Sequence, residues 1–306
     1  MIYRKNLIYL LLVIAGASIS IRLLMFSEFG HSALLYVGIP FLIALTLIAL
    51  IEPVGESKLS LGRYYGQFAL WSLVVMLCTS IVLYEGFVCV LMFMPIYFGI
   101  LFLIAMIHML GEFISKRGKN KHYVQIIPAL IVLSAFEGVI PEFEFNRDYS
   151  VTREIIVSAS QESILAELTK PMELDVDRHW LLEIFPMPAN IDAGTLSAGG
   201  IHKIDYVYHR WFVTNTHAGS MHLEISELNE NFIRTTFIED SSYIKNYLKL
   251  EGTEIHFEQL DDYKTKVSLT IHYQRFLDPA WYFGPLQSYA IGEVAELLLA
   301  ELFVPD

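Results

Sequence analysis

The chain has 306 residues, 54% of them hydrophobic, with a mean hydropathy of +0.46 and a net charge of −12. Those figures fit together only if the two ends differ. Residues 1–143 hold 9 Lys and Arg against 7 Asp and Glu, whereas residues 144–306 hold 12 against 26. The first part is apolar and near +2, and the second is polar and near −14, a charge that repels phosphate backbones and disfavours nucleic-acid binding. This division predicts a membrane region, residues 1–143, joined to one soluble domain of ordinary size, residues 144–306.

Spanning helices need roughly 20 mostly apolar residues. Five stretches meet that length: Leu7–Phe26, Ala33–Ile51, Tyr65–Leu83, Phe87–Phe113 and Val124–Ile140. The fourth contains Pro95, a potential kink. A signal peptide is the rival reading of the N-terminus, but the apolar run continues through "IRLLMF", which favours an uncleaved anchor. Lys and Arg occur before the first stretch (Arg4, Lys5), in the second loop (Lys58, Arg63) and in the fourth (Lys116, Arg117, Lys119, Lys121). The alternate loops, "SEFGHS" and "YEG", have none. That bias puts the N-terminus inside, in the cytoplasm, and the C-terminal domain outside.

Arg22, Glu85 and Glu137 then all reach the outer layer of the bilayer, where an isolated charge is costly. Pairing of Arg22 with Glu85 or Glu137 would pin helix ends beneath the outer domain. The alternative is that each side chain simply reaches interfacial water. The two cysteines, Cys78 and Cys89, lie in apolar stretches and read as small buried residues. The polar half has none, so it holds no disulfide framework.

After Pro141 the segment "PEFEFNRDYS" reads as a connector. "TREIIVSAS" predicts an extended segment, and "QESILAEL" a short helix that Ser160 caps. Pro186 to Gly200 gives loop signals. Strands follow over Ile201–Thr214, Met221–Leu228, Phe232–Glu239, Thr253–Leu260 and Tyr263–Phe276. Period-two alternation sets Met221, Leu223 and Ile225, and likewise Val267, Leu269, Ile271 and Tyr273, on one buried face. Asp278 as N-cap and Pro279 at the first helical position open a long helix running to Phe303. Trp281, Ser288, Ile291, Ala295, Leu298 and Leu302 trace its predicted inner face. The expected architecture is therefore a bundle of about five membrane helices followed by an α+β domain, a curved antiparallel sheet around one long helix. A concave space between sheet and helix suits a small molecule.

The order strand, short helix, antiparallel strands and long terminal helix resembles the helix-grip fold of the START-like, or SRPBCC, superfamily. The segments "VTREIIVSASQESILAEL" and "YLKLEGTEIHFEQLDDYKTKVSLTIHYQRFLDPAWYFGPLQSYAIGEVAELLLAEL" carry the resemblance, which is nearest to its polyketide cyclase/dehydrase branch. "EGFVCVLMFMP" is similar to an EG-x-x-C-x-x-M-x-x-P pattern of multi-spanning bacterial membrane proteins, with Glu85, Gly86, Cys89, Met92 and Pro95 at the matching places. The membrane motif implies the bacterial cytoplasmic membrane as location and brings no function with it, whereas the domain resemblance implies hydrophobic-ligand binding more than catalysis. No catalytic residue and no cofactor is carried over.

The polar half holds seven histidines, His179, His202, His209, His217, His222, His256 and His272, in no close ligand spacing, so no metal site is expected. No phosphate-cradling loop, G-x-S-x-G motif or cysteine nucleophile is present. Tyr206, Tyr208, Trp211, Tyr273, Trp281, Tyr282 and Tyr289 form the candidate ligand wall, since such rings give apolar area with a polar tip. Ordinary core packing is the competing reading for each, and a membrane-interface position is a second one for Trp281 and Tyr282. Three functions remain open: a membrane-tethered module that binds a lipid or isoprenoid-like molecule for transfer or sensing, an enzyme of the cyclase, dehydratase or hydrolase type acting on such a molecule, and a structural subunit whose cavity is filled. The intramembrane pairing carries its own test. Arg22→Leu lowers the thermal stability of the detergent-solubilised chain if the ion pair forms, and unchanged stability contradicts it.

Overall fold

A computed structural model describes residues 87–116, 137–139, 144–170, 172–173, 187–209 and 216–303, together with Glu142 and most of residues 63–73. The chain divides into two compact units, Met1–Phe145 and Asn146–Asp306.

In the first unit the longest described element is helix α1 (Phe87–Lys116), which runs through Pro95. The Tyr97 hydroxyl donates to Ser72 Oγ at 2.6 Å within a buried contact. Glu137 is buried in a short turn whose Gly138 takes a φ of 73°, a conformation that glycine adopts without a steric penalty. Among the described residues no helix is long and apolar enough to cross a membrane. The first and second predicted spans lie outside the described residues, as do Arg22, Glu85 and residues 124–136 of the fifth; residues 137–139, expected as the end of that fifth helix, form a turn instead.

The second unit contains one eight-stranded sheet, all of whose pairings are antiparallel: β1 (Asp148–Val157), β2 (Met172–Glu173), β3 (Met187–Asp192), β4 (Ile201–His209), β5 (Thr216–Asn229), β6 (Phe232–Asp240), β7 (Leu248–Asp261) and β8 (Lys264–Arg275). Its order is β1-β8-β7-β6-β5-β4-β3-β2. Strands β2 to β8 therefore form a meander, and β1 closes against the last strand. A short helix, α2 (Gln161–Glu167), follows β1, with the Ser160 side chain accepting from the Ser163 amide as the sequence predicts. The chain ends in α3 (Ala280–Phe303). This is the helix-grip arrangement that the resemblance implies.

Register shifts interrupt β3 at Pro188/Asn190, β6 at Ile238 (opposite His222/Leu223), β5 at Ile225/Glu227, and β7 at Leu250/Gly252 and Gln259/Asp261. Each extra residue bends and twists its strand, which curves the sheet into a concave face. Gly252 belongs to one of these bulges. A Cβ there would stand 2.2 Å from the Thr235 carbonyl oxygen, so only glycine lets the two backbones approach this closely.

The alternating residues fall as predicted: Met221, Leu223 and Ile225 are buried, as are Val267, Leu269, Ile271 and Tyr273. Three expectations need correction. The segment expected to loop from Pro186 to Gly200 contains β3, which pairs with β4. Its Pro188 removes a backbone donor next to the bulge, which hides the strand from a pattern search. "THAGS", expected as a connector, is the first third of β5; Gly219 sits where the Ser241 backbone passes too close for a side chain. Third, Asp278 does not act as an N-cap side chain. The Tyr282 and Phe283 amides bond to the Pro279 carbonyl, and the Asp278 carboxylate turns to two arginines.

Candidate functional site

Helix α3 lies over β1 and β8 at one side of the concave face. Its buried side chains are Phe283, Gln287, Ile291, Ala295, Leu299 and Phe303, with Gly284 and Gly292 where side chains of β1 reach the helix. At Gly292 the Arg153 guanidinium crosses the helix and pairs with Glu296 at 2.7 Å. The predicted inner face is right at Ile291 and Ala295. It is wrong at Trp281, which is 63% exposed. The buried stripe is rotated so that Phe283 and Gln287 point inward instead.

Two apolar clusters share the concave face. The larger joins Val267, Leu269, Ile271 and Tyr273 of β8 to Ile255 and Phe257 of β7 and to the second half of α3. The smaller comprises Ile204 and Tyr206 of β4 with Met221 and Leu223 of β5. Ile244, from the 3-10 turn Tyr243–Asn246, and Leu250 pack against both. The smaller cluster belongs to strands that α3 does not cover. The region between it and the first half of α3 is the candidate site.

Polar groups in this part of the domain are few. The Gln287 side-chain Nε2 donates to the Tyr247 carbonyl at 3.2 Å, which fixes the amide's orientation. Its Oε1 is then buried without a hydrogen-bond partner. A buried acceptor left in this way carries a desolvation cost of about 1–3 kcal/mol that a bound donor would remove. On β4, His202 shares a face with Ile204 and Tyr206. Its Nδ1 accepts from the Gly194 amide at 3.2 Å, which places the proton of the neutral ring on Nε2. That Nε2 is also buried without a partner. Burial pushes the His202 pKa down, so the ring is neutral at pH 7. Burial, with a smaller effect from the Asp240 carboxylate, pushes the Tyr206 hydroxyl far above the ordinary tyrosine range. Asp240 itself accepts from the Ser242 amide at 2.7 Å.

The predicted ligand-wall residues divide between these surroundings. Tyr206 lies in the smaller cluster. Tyr273 lies in the larger one, where its ring stacks on Tyr149 at 5.8 Å and its hydroxyl shares a 2.9 Å hydrogen bond with Ser288. Burial raises the pKa of Tyr273 and of the half-buried Tyr282. Trp281 and Tyr289 are exposed on the outer side of α3. Tyr208 belongs to β4, but its side chain, like all of Trp211, lies outside the described residues. The structure therefore does not bring the seven together as one wall. Gln287 and Asp240 were not named from the sequence, and His202 only as one of seven histidines weighed for a metal site. The signal for Gln287 was its place four residues from both Phe283 and Ile291, on the stripe one position away from the predicted one.

The start of α3 is fixed by three charged residues. Arg147 donates to the Arg275 and Phe276 carbonyls at 3.2 and 3.0 Å and to Asp278 Oδ2 at 2.9 Å. Arg275, fully buried, donates to Asp278 Oδ1 and to the Leu277 carbonyl. His222, His256 and His272 lie on the convex face. His222 lies 3.1 Å from Glu239, while His272 and His256 lie 3.7 and 4.0 Å from Glu254. No group of three or more His, Cys, Asp and Glu side chains that could hold a metal ion occurs among the described residues.

No family model and no curated protein matches the chain. Solved structures similar to it include a START superfamily protein from Mycobacterium smegmatis, at 14% identity and a TM-score of 0.33, covering 50% of this chain and 93% of that one. The major latex-like protein 151 of Panax ginseng is 14% identical, with a TM-score of 0.29 and coverages of 50% and 99%. The Zhui aromatase/cyclase from Streptomyces sp. R1128 is 13% identical, with a TM-score of 0.28 and coverages of 50% and 95%.

Removing the carboxylate shared by the two arginines tests the anchor of α3. Asp278→Ala leaves buried positive charge uncompensated and lowers folding stability by about 3–5 kcal/mol in denaturant titration of the full chain. A loss below about 1 kcal/mol contradicts the anchoring role.

Proposed function

We propose that the chain is a membrane-tethered binding protein. Its outer helix-grip domain holds a hydrophobic or amphiphilic small molecule, lipid- or isoprenoid-like, for transfer or sensing. The observation that carries this reading is the Gln287 Oε1 acceptor, oriented by the Tyr247 carbonyl and left without a partner in apolar surroundings. One such group in a mostly apolar site orients an amphiphile with a hydroxyl or amide donor and leaves the rest of the affinity to buried area. The tether rests on the sequence: five apolar stretches, with Lys and Arg confined to alternate loops, argue for insertion in a bacterial cytoplasmic membrane with the domain outside.

An enzyme of the cyclase, dehydratase or hydrolase type would need an acid or base that titrates near the working pH. The two shifted groups at the candidate site move the other way. His202 is held neutral and is a weaker base than an ordinary histidine, and Tyr206 is a weaker acid than an ordinary tyrosine. Binding is favoured over acid–base catalysis on that ground.

The test is mass spectrometry of organic extracts from the full chain purified in mild detergent. The expected result is one apolar species at near-stoichiometric amount, above the detergent and bulk-lipid background. Gln287→Leu should reduce its retention roughly threefold to tenfold, the worth of one ligand hydrogen bond. An extract that mirrors bulk membrane lipid in both proteins contradicts the proposal.

A further inference from the structure

Helix α3 has a second face that the binding reading does not use. Trp281, Pro285 and Tyr289 recur every four residues and so lie along one side of the helix over roughly 12 Å. All three are exposed, Trp281 at 63% and Tyr289 at 46%. The half-buried Tyr282 packs edge-on to Trp281 at 5.9 Å. From Pro279 to Gly292 the helix and its lead-in contain no charged residue, and the first charges are Glu293 and Glu296. In a region of the chain near −14, this uncharged aromatic strip is set apart from its surroundings.

The strip also lies where the chain enters the domain. Arg147, one residue after the unit begins, is bonded to Asp278, three residues before Trp281. The last apolar stretch of the sequence ends at Ile140, seven residues before Arg147, and seven extended residues reach no more than about 25 Å. In a chain anchored in a bilayer at Ile140, that reach lets this end of α3 meet the lipid surface. Trp and Tyr concentrate at that depth because the ring is apolar and its N–H or O–H stays wet. The acidic second half of the helix, with Glu293, Glu296 and Glu301, opposes a flat approach to anionic lipid and favours contact through the aromatic end.

We infer that Trp281, Tyr282 and Tyr289 form a docking surface for the interfacial layer of a zwitterionic bilayer, which sets the first half of α3, and the candidate site behind it, against the lipid. This inference rests on the membrane tether proposed above. Its consequence is a short path for an apolar ligand between the membrane and the site.

The test uses the full chain reconstituted in phosphatidylcholine vesicles containing lipid brominated near the head group. Subtracting the emission of Trp281→Phe from that of the unaltered chain isolates Trp281 from Trp71, Trp180 and Trp211. The Trp281 component should be quenched at least twofold by the brominated lipid and little by aqueous iodide. Quenching by iodide alone, or by neither agent as in a contact between copies of the chain, overturns the docking surface. Carbonate extraction of the same vesicles separates the two ideas. A chain that stays with the membrane while Trp281 faces water loses only the docking surface. A chain released into the supernatant loses the tether and the docking surface together.

Discussion

The Asp278 carboxylate lies between two arginines that reach it from opposite ends of the domain's sequence. Arg147 comes from the residue before β1, and Arg275 is the last residue of β8. Strands β1 and β8 pair along ten positions, so the shared carboxylate ties the opening strand, the closing strand and the start of α3 at one corner. A buried charge pair of this kind adds little net stability over an apolar packing, yet losing one member is expensive. Its value is positional. It fixes where the long helix begins, and the glycines at 284 and 292 fix how closely that helix lies on Tyr149 and Arg153.

That placement leaves part of the concave sheet without the helix. The second half of α3 seals the larger apolar cluster, whereas Ile204, Tyr206, Met221 and Leu223 belong to strands beyond its reach. The first half of the helix faces this region with Phe283 and Gln287, and its outer side carries exposed aromatic rings. The neutral state of His202 and Tyr206, both set by burial, suits an uncharged ligand and is poorly suited to proton transfer near pH 7.

Much of this was legible in the sequence where local chemistry and burial agree. The alternation in β5 and β8 is strict because one side of each strand meets the core, and the structure buries those residues. What escaped the sequence depends on long-range geometry. Pro188 and Gly219 look like breakers, but β3 tolerates a proline beside its bulge and β5 needs a glycine under the Ser241 backbone. Asp278 followed by proline has the pattern of a helix cap, and nothing local reveals that Arg147, 131 residues away, takes one of its oxygens while Arg275 takes the other. The inner face of α3 was misread by about one position, because Gln287 counts as polar by type although the fold buries it. The candidate site suffered most from this, since its clearest polar group sits on the misread stripe.

The measurement that bears most directly on the account is amide hydrogen exchange of the full chain in detergent, before and after removal of co-purified apolar molecules. A ligand held between β4, β5 and the first half of α3 stabilises what it touches, so stripping it speeds exchange there. Exchange in β1, β7, β8 and the second half of α3, sealed by the larger cluster, stays unchanged. Uniform loosening of the whole domain, or no change anywhere, would contradict a ligand at this site.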